Sequence, residues 1–285
     1  MMKRIRLPLL ALAVATLVGA CDVIDAPYRE TPVNPGGGDS IKQNILLEDY
    51  TGHTCGNCPE AATIAKQLET TYGADRVVIV AVHAGPFAYP ELPDYPMDFQ
   101  TPDATQLDNT FRISRAGNPN GMVNRTARNG KVILGKDQWS TVVAGLLGNK
   151  PAVDLDISHT YNAATRAIDI TAKVKYLVAG TSDYQIVALL TESKIISDQK
   201  DYRVNPSHVP DYEFEHVMRS SMNGTWGEVL SAQPVAAGQT IQKTISYTIP
   251  ADKTWKPENC SVVVYVHRHN TTKEVLQVKQ TKLIK

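Results

Sequence analysis

The sequence predicts an α/β domain followed by an all-β sandwich domain, and three observations carry the prediction. A two-cysteine turn, Cys55-Gly56-Asn57-Cys58, stands between a strand-like apolar run and a helical pattern, and a second apolar run follows. That succession reads as a βαβ unit, expected to be parallel and right-handed. Further on, the hydrophobic period changes to two: Ile168, Ile170, Ala172, Val174 and Tyr176 alternate with Asp169, Thr171, Lys173 and Lys175. The chain has 285 residues, 42% of them hydrophobic, enough for two modest cores.

The first elements concern export. Lys3, Arg4 and Arg6 precede the apolar run Leu7 to Ala20, which is too short for a comfortable membrane span and reads as a secretory signal over residues 1–20. Its end, Leu17-Val18-Gly19-Ala20-Cys21, resembles a bacterial lipoprotein signal. The resemblance implies cleavage before Cys21 and lipidation of that cysteine, with a diacylglycerol and an amide-linked acyl chain such as palmitate. Two lipid signals give stable attachment where one chain is marginal. Residues 21–40 then form a tether, with Pro27, Pro32, Pro35 and Gly36-Gly37-Gly38. Without residues 1–20 the chain keeps 26 of its 29 basic residues against 29 acidic ones, a net charge near −3. No basic tract points to nucleic acid.

Ile41 to Tyr50 reads as a strand, and Pro59 to Tyr72 as an amphipathic helix with Ala61, Ile64, Ala65, Leu68 and Tyr72 on one face. Pro59 suits a first turn and Gly73 a C-cap. Arg76 to Val82 is apolar throughout, as in a strand covered on both faces. The segment from His83 to Pro102 carries Pro86, Pro90, Pro93, Pro96 and Pro102 among Phe87, Tyr89, Tyr95 and Phe99. It starts beyond the C-terminal end of that strand, on the edge where open α/β sheets bind ligands, and so reads as a lid or groove wall. Its other reading is a prolyl loop packing its own aromatics. A short helix over Thr101 to Phe111, a turn at Gly117 to Gly121, a hairpin at Asn129-Gly130 leading into Lys131 to Leu134, and a helix through Trp139 to Leu147 complete a first domain over residues 41–150.

The second domain spans residues 151–285. Strands are expected at Val153–Ile157, Ile168–Tyr176, Tyr184–Leu190, Ile241–Ile249, Ser261–His267 and Glu274–Lys282. Ser197 to Gly238 reads as polar and irregular. Many short strands with turn-rich joins fit a sandwich.

Export places the chain where disulfides persist. With Cys21 lipidated, Cys55, Cys58 and Cys260 remain, and the close pair is the natural couple. At the mouth of a helix, orphan N–H groups and the helix dipole stabilise a thiolate on the first cysteine. Cys55 is then the attacking, more exposed thiol and Cys58 the resolving one, working through a mixed disulfide with a partner. His53 could tune Cys55 when protonated, or stand idle in solvent. Asp49, six residues before Cys55, could relay a proton if buried beneath the pair; Glu48 competes with it, and water would make either inert. Cys260 reads as a buried thiol, although a folded-back second domain would bring it near Cys58. His267 and His269 share a strand face, read as ordinary sheet surface or a weak metal or pH-sensitive site. Trp226 reads as a loop plug or, less simply, a glycan-stacking residue.

The cysteine turn and Asp49 resemble the thioredoxin superfamily, with its buried carboxylate and Cys-x-x-Cys. The resemblance makes the first domain thioredoxin-like and makes Pro119 its cis-proline, with Asn118 the preceding residue that contacts substrate. His83, at the head of the Pro-rich segment, joins Asn118 and Pro119 as an expected substrate contact. Thr54 replaces that family's tryptophan, and the Pro-rich insert has no counterpart in its minimal members. More specifically, Leu47 to Glu60 resembles the signature of the Omp28-related outer membrane lipoproteins of Bacteroidota. The resemblance extends through His83-Ala84-Gly85, Gly117 to Gly121 with Arg125, Asn223 to Gly227 and Glu258-Asn259-Cys260. It implies a lipid-anchored outer membrane protein, periplasmic or surface-exposed, and no particular reaction.

Three readings of the site follow. In the first, the pair exchanges disulfides with cell-envelope proteins or peptides, needing neither cofactor nor metal. In the second, the bond staples a turn in a binding or structural lipoprotein, as the large β domain and the lack of a nucleophilic triad suggest. In the third, Cys55, Cys58, His53 and His83 hold Zn²⁺.

Overall fold

Strand β1 (Ile45–Thr51) is buried along its whole length, as is β2 (Val77–His83), and helix α1 (Cys58–Tyr72) joins them. The computed structural model describes residues 41–284; the expected signal, lipidated Cys21 and tether lie outside the described residues. Pro59 occupies the first turn of α1, and Gly73, at φ 92°, ends it where a side chain would be strained. The Pro-rich segment contains a 3-10 turn at Pro86–Ala88 and a single antiparallel bridge between Glu91 and Tyr95. Helix α2 (Pro102–Phe111) starts on Thr101, whose hydroxyl accepts from the Ala104 N–H at 3.0 Å. Next come α3 (Ile113–Ala116), β3 (Asn120–Val123), β4 (Leu134–Gly135) and α4 (Lys136–Leu146). The hairpin at Asn129-Gly130 is present only as a single bridge between Arg128 and Lys131, so the strand expected from Lys131 shrinks to β4.

Beyond residue 150 follow β5 (Val153–Asn162), β6 (Ala167–Tyr176), β7 (Tyr184–Glu192), β8 (Ile195–Lys200), β9 (His208–Phe214) and β10 (Val217–Ser221). Then come β11 (Glu228–Val229), β12 (Thr240–Thr248), β13 (Cys260–Arg268) and β14 (Val275–Lys282). Most of these match the alternating runs of the sequence. The stretch expected to be irregular, Ser197 to Gly238, instead contributes to β8, β9, β10 and β11. Its alternation is inverted: Ser197 and Gln199 point inward at 8% and 2% exposure, while Ile196 is 55% exposed. A hydrophobicity pattern cannot register such a strand.

The main sheet has nine strands in the order β14-β13-β7-β10-β2-β1-β3-β4, with β11 beside β7. β1 runs parallel to β2 and antiparallel to β3, and β10 runs parallel to β2. The change of period near residue 150 is therefore no edge of the sheet, because β7, β10, β13 and β14 extend the sheet that β1 and β2 begin. The two-sheet packing expected of the second half is present: β12, β6 and β5 form a separate sheet whose Ile168, Ile170 and Val174 pack with Ile186, Val262 and Val264 of β7 and β13.

The long sheet coils. Asn44, just before β1, donates through its side-chain amide to the Val278 carbonyl at 3.0 Å, and its N–H bonds the Gln277 side chain at 2.8 Å. Leu46, Tyr50, Val78 and Val80 thereby share a core with Val187, Leu189, Val263 and Tyr265. On the opposite face Ile45, Leu47, Val77 and Ile79 meet α1 and α4, where Trp139 is fully buried.

One ion pair lies within the coil. Arg125 donates to both oxygens of Glu48 at 2.8 and 2.7 Å and to the Tyr265 hydroxyl at 3.0 Å, and its side chain has no exposure. Removing one partner of such a pair strands a buried charge, at a cost of about 3–5 kcal/mol. Arg125→Met should lower the urea midpoint accordingly. The double change Glu48→Leu/Arg125→Met should recover much of that loss, and equal losses in both would show that packing, not charge, holds the site.

Candidate functional site at the cysteine turn

The pleat of β1 decides which carboxyl reaches the cysteines. Successive side chains point to opposite faces, so Glu48 enters the coil and Asp49 faces α1. Glu48 is consumed by Arg125 and does not compete for a place at the pair.

Cys55 and Cys58 form a disulfide with Cα atoms 5.4 Å apart, Cys58 being the first residue of α1. The turn before it is tightly held. The Thr54 N–H and hydroxyl both donate to the Phe87 carbonyl, at 3.1 and 3.0 Å, and the Cys55 N–H bonds the Gly52 carbonyl at 3.1 Å. Any Cβ at Gly52 would collide with the Phe87 carbonyl. The Pro-rich segment is thus one wall of the turn.

The other wall is the hairpin β8–β9, which sequence reasoning missed. The Lys200 N–H donates to the His53 carbonyl at 2.8 Å, the Tyr202 N–H to the Gly56 carbonyl at 2.9 Å, and the Gln199 amide to the Cys55 carbonyl at 3.1 Å. The Tyr202 ring lies flat against Gly56, leaving no room for a Cβ there. Arg203 pairs with Asp201 at 2.7 Å and reaches Thr63 of α1 at 3.0 Å, which clamps the hairpin turn to the helix. Cys55 is consequently 3% exposed and Cys58 1%. The expected exposed thiol at Cys55 is not found, because the hairpin roofs it.

Asp49 is 2% exposed, and its Oδ1 has no hydrogen-bond partner. Burial raises its carboxyl from 3.8 to about 7. His53 is fully buried rather than solvent-facing, against Tyr95 and Phe99, with ring centroids 6.3 and 5.7 Å away. Burial lowers its imidazole, which disfavours the protonated form expected to tune Cys55. The His83 ring packs tilted against Phe99 with centroids 4.8 Å apart, and burial, helped by His53 and Arg219, brings it down to about 3. Both histidines therefore pack on one phenylalanine, and the sulfurs bond each other, so the zinc arrangement is not assembled. Among the described residues, no group of three His, Cys, Asp or Glu converges on a metal position.

The Asn118–Pro119 peptide is cis and opens onto β3, whose Asp49 partner in the register is Gly121. The Asn118 side-chain amide is buried without a partner. Cys260 is free, wholly buried in the core between the two sheets, and raised to about 12 chiefly by burial. His267 is also an interior group rather than sheet surface: it bonds the Trp226 carbonyl at 3.0 Å, while Trp226 plugs its loop against Phe111 and His269.

Between α1 and β9 a cleft of about 530 Å³ reaches down to Asp49 and Cys58. It exists because the facing residues Ala62, Ala65 and Ala81 are small. At its rim Glu69 meets His216 at 3.5 Å and Lys66 at 2.8 Å; burial opposes its ionisation, but these two neighbours outweigh burial and hold it at about 2.

The family model described as "Outer membrane protein Omp28" matches residues 104–285. The solved structure of HBP35 of Porphyromonas gingivalis superposes with a TM-score of 0.65 at 17% identity, covering 86% of this chain and 77% of that one, and it shows a shared fold. A domain of the outer membrane lipoprotein Omp28 from Porphyromonas gingivalis aligns over 47% of this chain and 89% of its own at 21% identity, with a TM-score of only 0.31. No curated protein matches the chain.

Asp49 also fixes a sign. A carboxyl raised in the folded state is protonated more readily there than in the unfolded chain, so stability is lost as pH climbs from about 4 to about 7. Asp49→Asn removes this term. The variant should gain roughly 2–3 kcal/mol more over the parent at pH 8 than at pH 5, read from urea midpoints. An equal gain at both pH values would mean that Asp49 titrates normally.

Proposed function

The chain belongs to the Omp28 family of outer membrane proteins, and we propose that it is a lipid-anchored envelope protein exchanging disulfides through Cys55–Cys58. The observation that carries this reading is Asp49: a buried, unpartnered carboxyl with a pKa near 7, lining the same cleft as Cys58. A staple needs no such group, and leaving a buried acceptor unpaired costs on the order of 1–3 kcal/mol. The order of elements supports a thioredoxin-like reading of residues 41–150: β2-β1-β3-β4, with α1 leaving the cysteine turn and Pro119 leading into β3.

In one direction a partner thiolate attacks the Cys55 sulfur, the Cys55–Cys58 bond breaks, and Cys58 leaves as a thiolate that takes its proton from neutral Asp49. A second partner thiol then displaces Cys55, and the partner departs as a disulfide. The reverse sequence uses Asp49 as the carboxylate that deprotonates Cys58. Either way the hairpin β8–β9 must first lift from residues 53–56. Asn118, Pro119 and His83 would then border the incoming chain. Lipid on Cys21 would hold the site at the membrane while residues 22–40 act as the tether.

A second reading is favoured by the near-complete burial of both sulfurs: the bond is a staple, and the protein binds rather than reacts. The reduction potential separates the two. Equilibrating the lipid-free chain from residue 22 onward in dithiol buffers, with thiol trapping, should give a value within roughly −270 to −120 mV. Gln199→Ala/Tyr202→Ala should raise the rate of reduction about tenfold, since it removes one of the three hydrogen bonds and the packed ring that hold the roof shut. A potential below about −300 mV would leave the staple as the function of the bond.

A further inference from the structure

We propose that the cleft between α1 and β9 is a binding site for a small amine with an apolar body. It stands independently of disulfide exchange, because the oxidised, roofed protein already contains the cleft.

Its shape follows from side-chain size. On β2, Ile79, Ala81 and His83 point toward α1, and the next surface across the sheet belongs to β9 rather than to a second helix. With Ala62 and Ala65 on the helix and Ala81 on the floor, the two covering elements do not close over the sheet. About 530 Å³ remains, room for a bicyclic aromatic amine of 12 non-hydrogen atoms or so. The walls are mainly apolar, with the Phe214 and Tyr212 rings on the hairpin side.

Its polarity follows from what is left unpaired. Asp49 Oδ1 and both ring nitrogens of His83 are buried at the inner end with no partner, and both residues line the cleft. A buried polar atom without a partner is the position a ligand donor can satisfy. At the outer end the cleft is lined by Glu213, Glu215, Lys66 and His216, and Lys66 is already paired with Glu69, so the two glutamates leave the rim with an excess of negative charge. A carboxyl at the bottom and glutamates at the mouth favour a cation over an anion along the whole path. Coulomb attraction between Asp49 and an ammonium gains strength at the inner end of the cleft, where the carboxyl is buried. An aliphatic or aromatic body then fills the apolar walls, and the amine reaches Asp49.

The test uses three probes built on one naphthyl body: 1-naphthylmethylamine, 1-naphthalenemethanol and the slightly larger 1-naphthaleneacetic acid. Each is titrated into the oxidised lipid-free chain from residue 22 onward at pH 7.5, with naphthalene fluorescence and calorimetry as readouts. The amine should bind with one site per chain and at least tenfold more tightly than the alcohol, and the acid should bind least. Ala62→Trp, which fills the cleft from its half-buried helix face, should abolish binding while circular dichroism and the melting temperature stay unchanged. Asp49→Leu should erase the advantage of the amine over the alcohol. Leu92→Ser, on the exposed Pro-rich loop, should change nothing. No saturable amine binding, equal binding by Ala62→Trp, an amine preference that survives Asp49→Leu, or an acid that binds as well as the amine would each overturn the assignment. None of these outcomes depends on the reduction potential of the disulfide, so the two proposals fail separately.

Discussion

The pleat of β1 places two adjacent carboxyls in different worlds. Glu48 and Asp49 are equally buried, at 2% exposure each, yet one finds Arg125 and the other finds no donor for Oδ1. The pair inside the coil neutralises both its charges and adds a hydrogen bond to Tyr265, so it fastens β1 to β13 and to the loop after β3. The lone carboxyl under the cysteines keeps its desolvation penalty and is held near the pH at which it can give or take a proton. A one-residue slip in the register of β1 would exchange the two roles and destroy both sites. The buried ion pair and the lone carboxyl therefore depend on the same backbone alternation.

The roof over the cysteines arises from the same sheet. β10 lies beside β2, with Val217 opposite Ala81, and the hairpin β8–β9 precedes it in the chain. The second half of the sequence is thus part of the site and not an appendage to it. Three of its residues hold the cysteine turn from above: Lys200 and Tyr202 through backbone N–H groups, Gln199 through its amide. Phe214 and Val217 pack with Phe99 from the Pro-rich segment, so both walls meet in one small aromatic core beside the histidines.

Where the hydrophobic pattern was regular, sequence and structure agree closely. The helix after Cys58 and the strands of β2, β6 and β13 needed only periodicity, proline position and a capping glycine. The Cys55–Cys58 couple was legible from its spacing, and Asp49 only as one of two adjacent strand-end carboxyls, with Glu48 the other. The hairpin was not, since its inward residues Ser197, Gln199 and Asp201 are polar and its outward Ile196 and Tyr202 are not. Such residues are buried to bond a turn some 145 positions away in the chain, and no local period encodes that. The histidines illustrate the converse. His53 and His83 look like metal ligands or charge carriers on paper, but burial against aromatic neighbours disfavours their charged forms. The cleft was invisible for a further reason: it is the volume left between two faces, and alanines on a helix and a strand each look ordinary alone.

Roof and carboxyl are linked through water. Asp49 is held near pH 7 because the closed hairpin and α1 exclude solvent from it. Lifting the hairpin would hydrate the carboxyl and return it toward its ordinary value. The closed form consequently binds the Asp49 proton more tightly than the open form, and by linkage each rise in pH through neutrality weakens the roof. A cation placed beside Asp49 acts oppositely on the same balance, since it favours the carboxylate without opening the site. Proton and amine thus compete for one buried oxygen, and closure of the hairpin favours the proton. The β8–β9 hairpin need not carry a titrating group of its own to respond to pH, because the group it covers supplies the dependence.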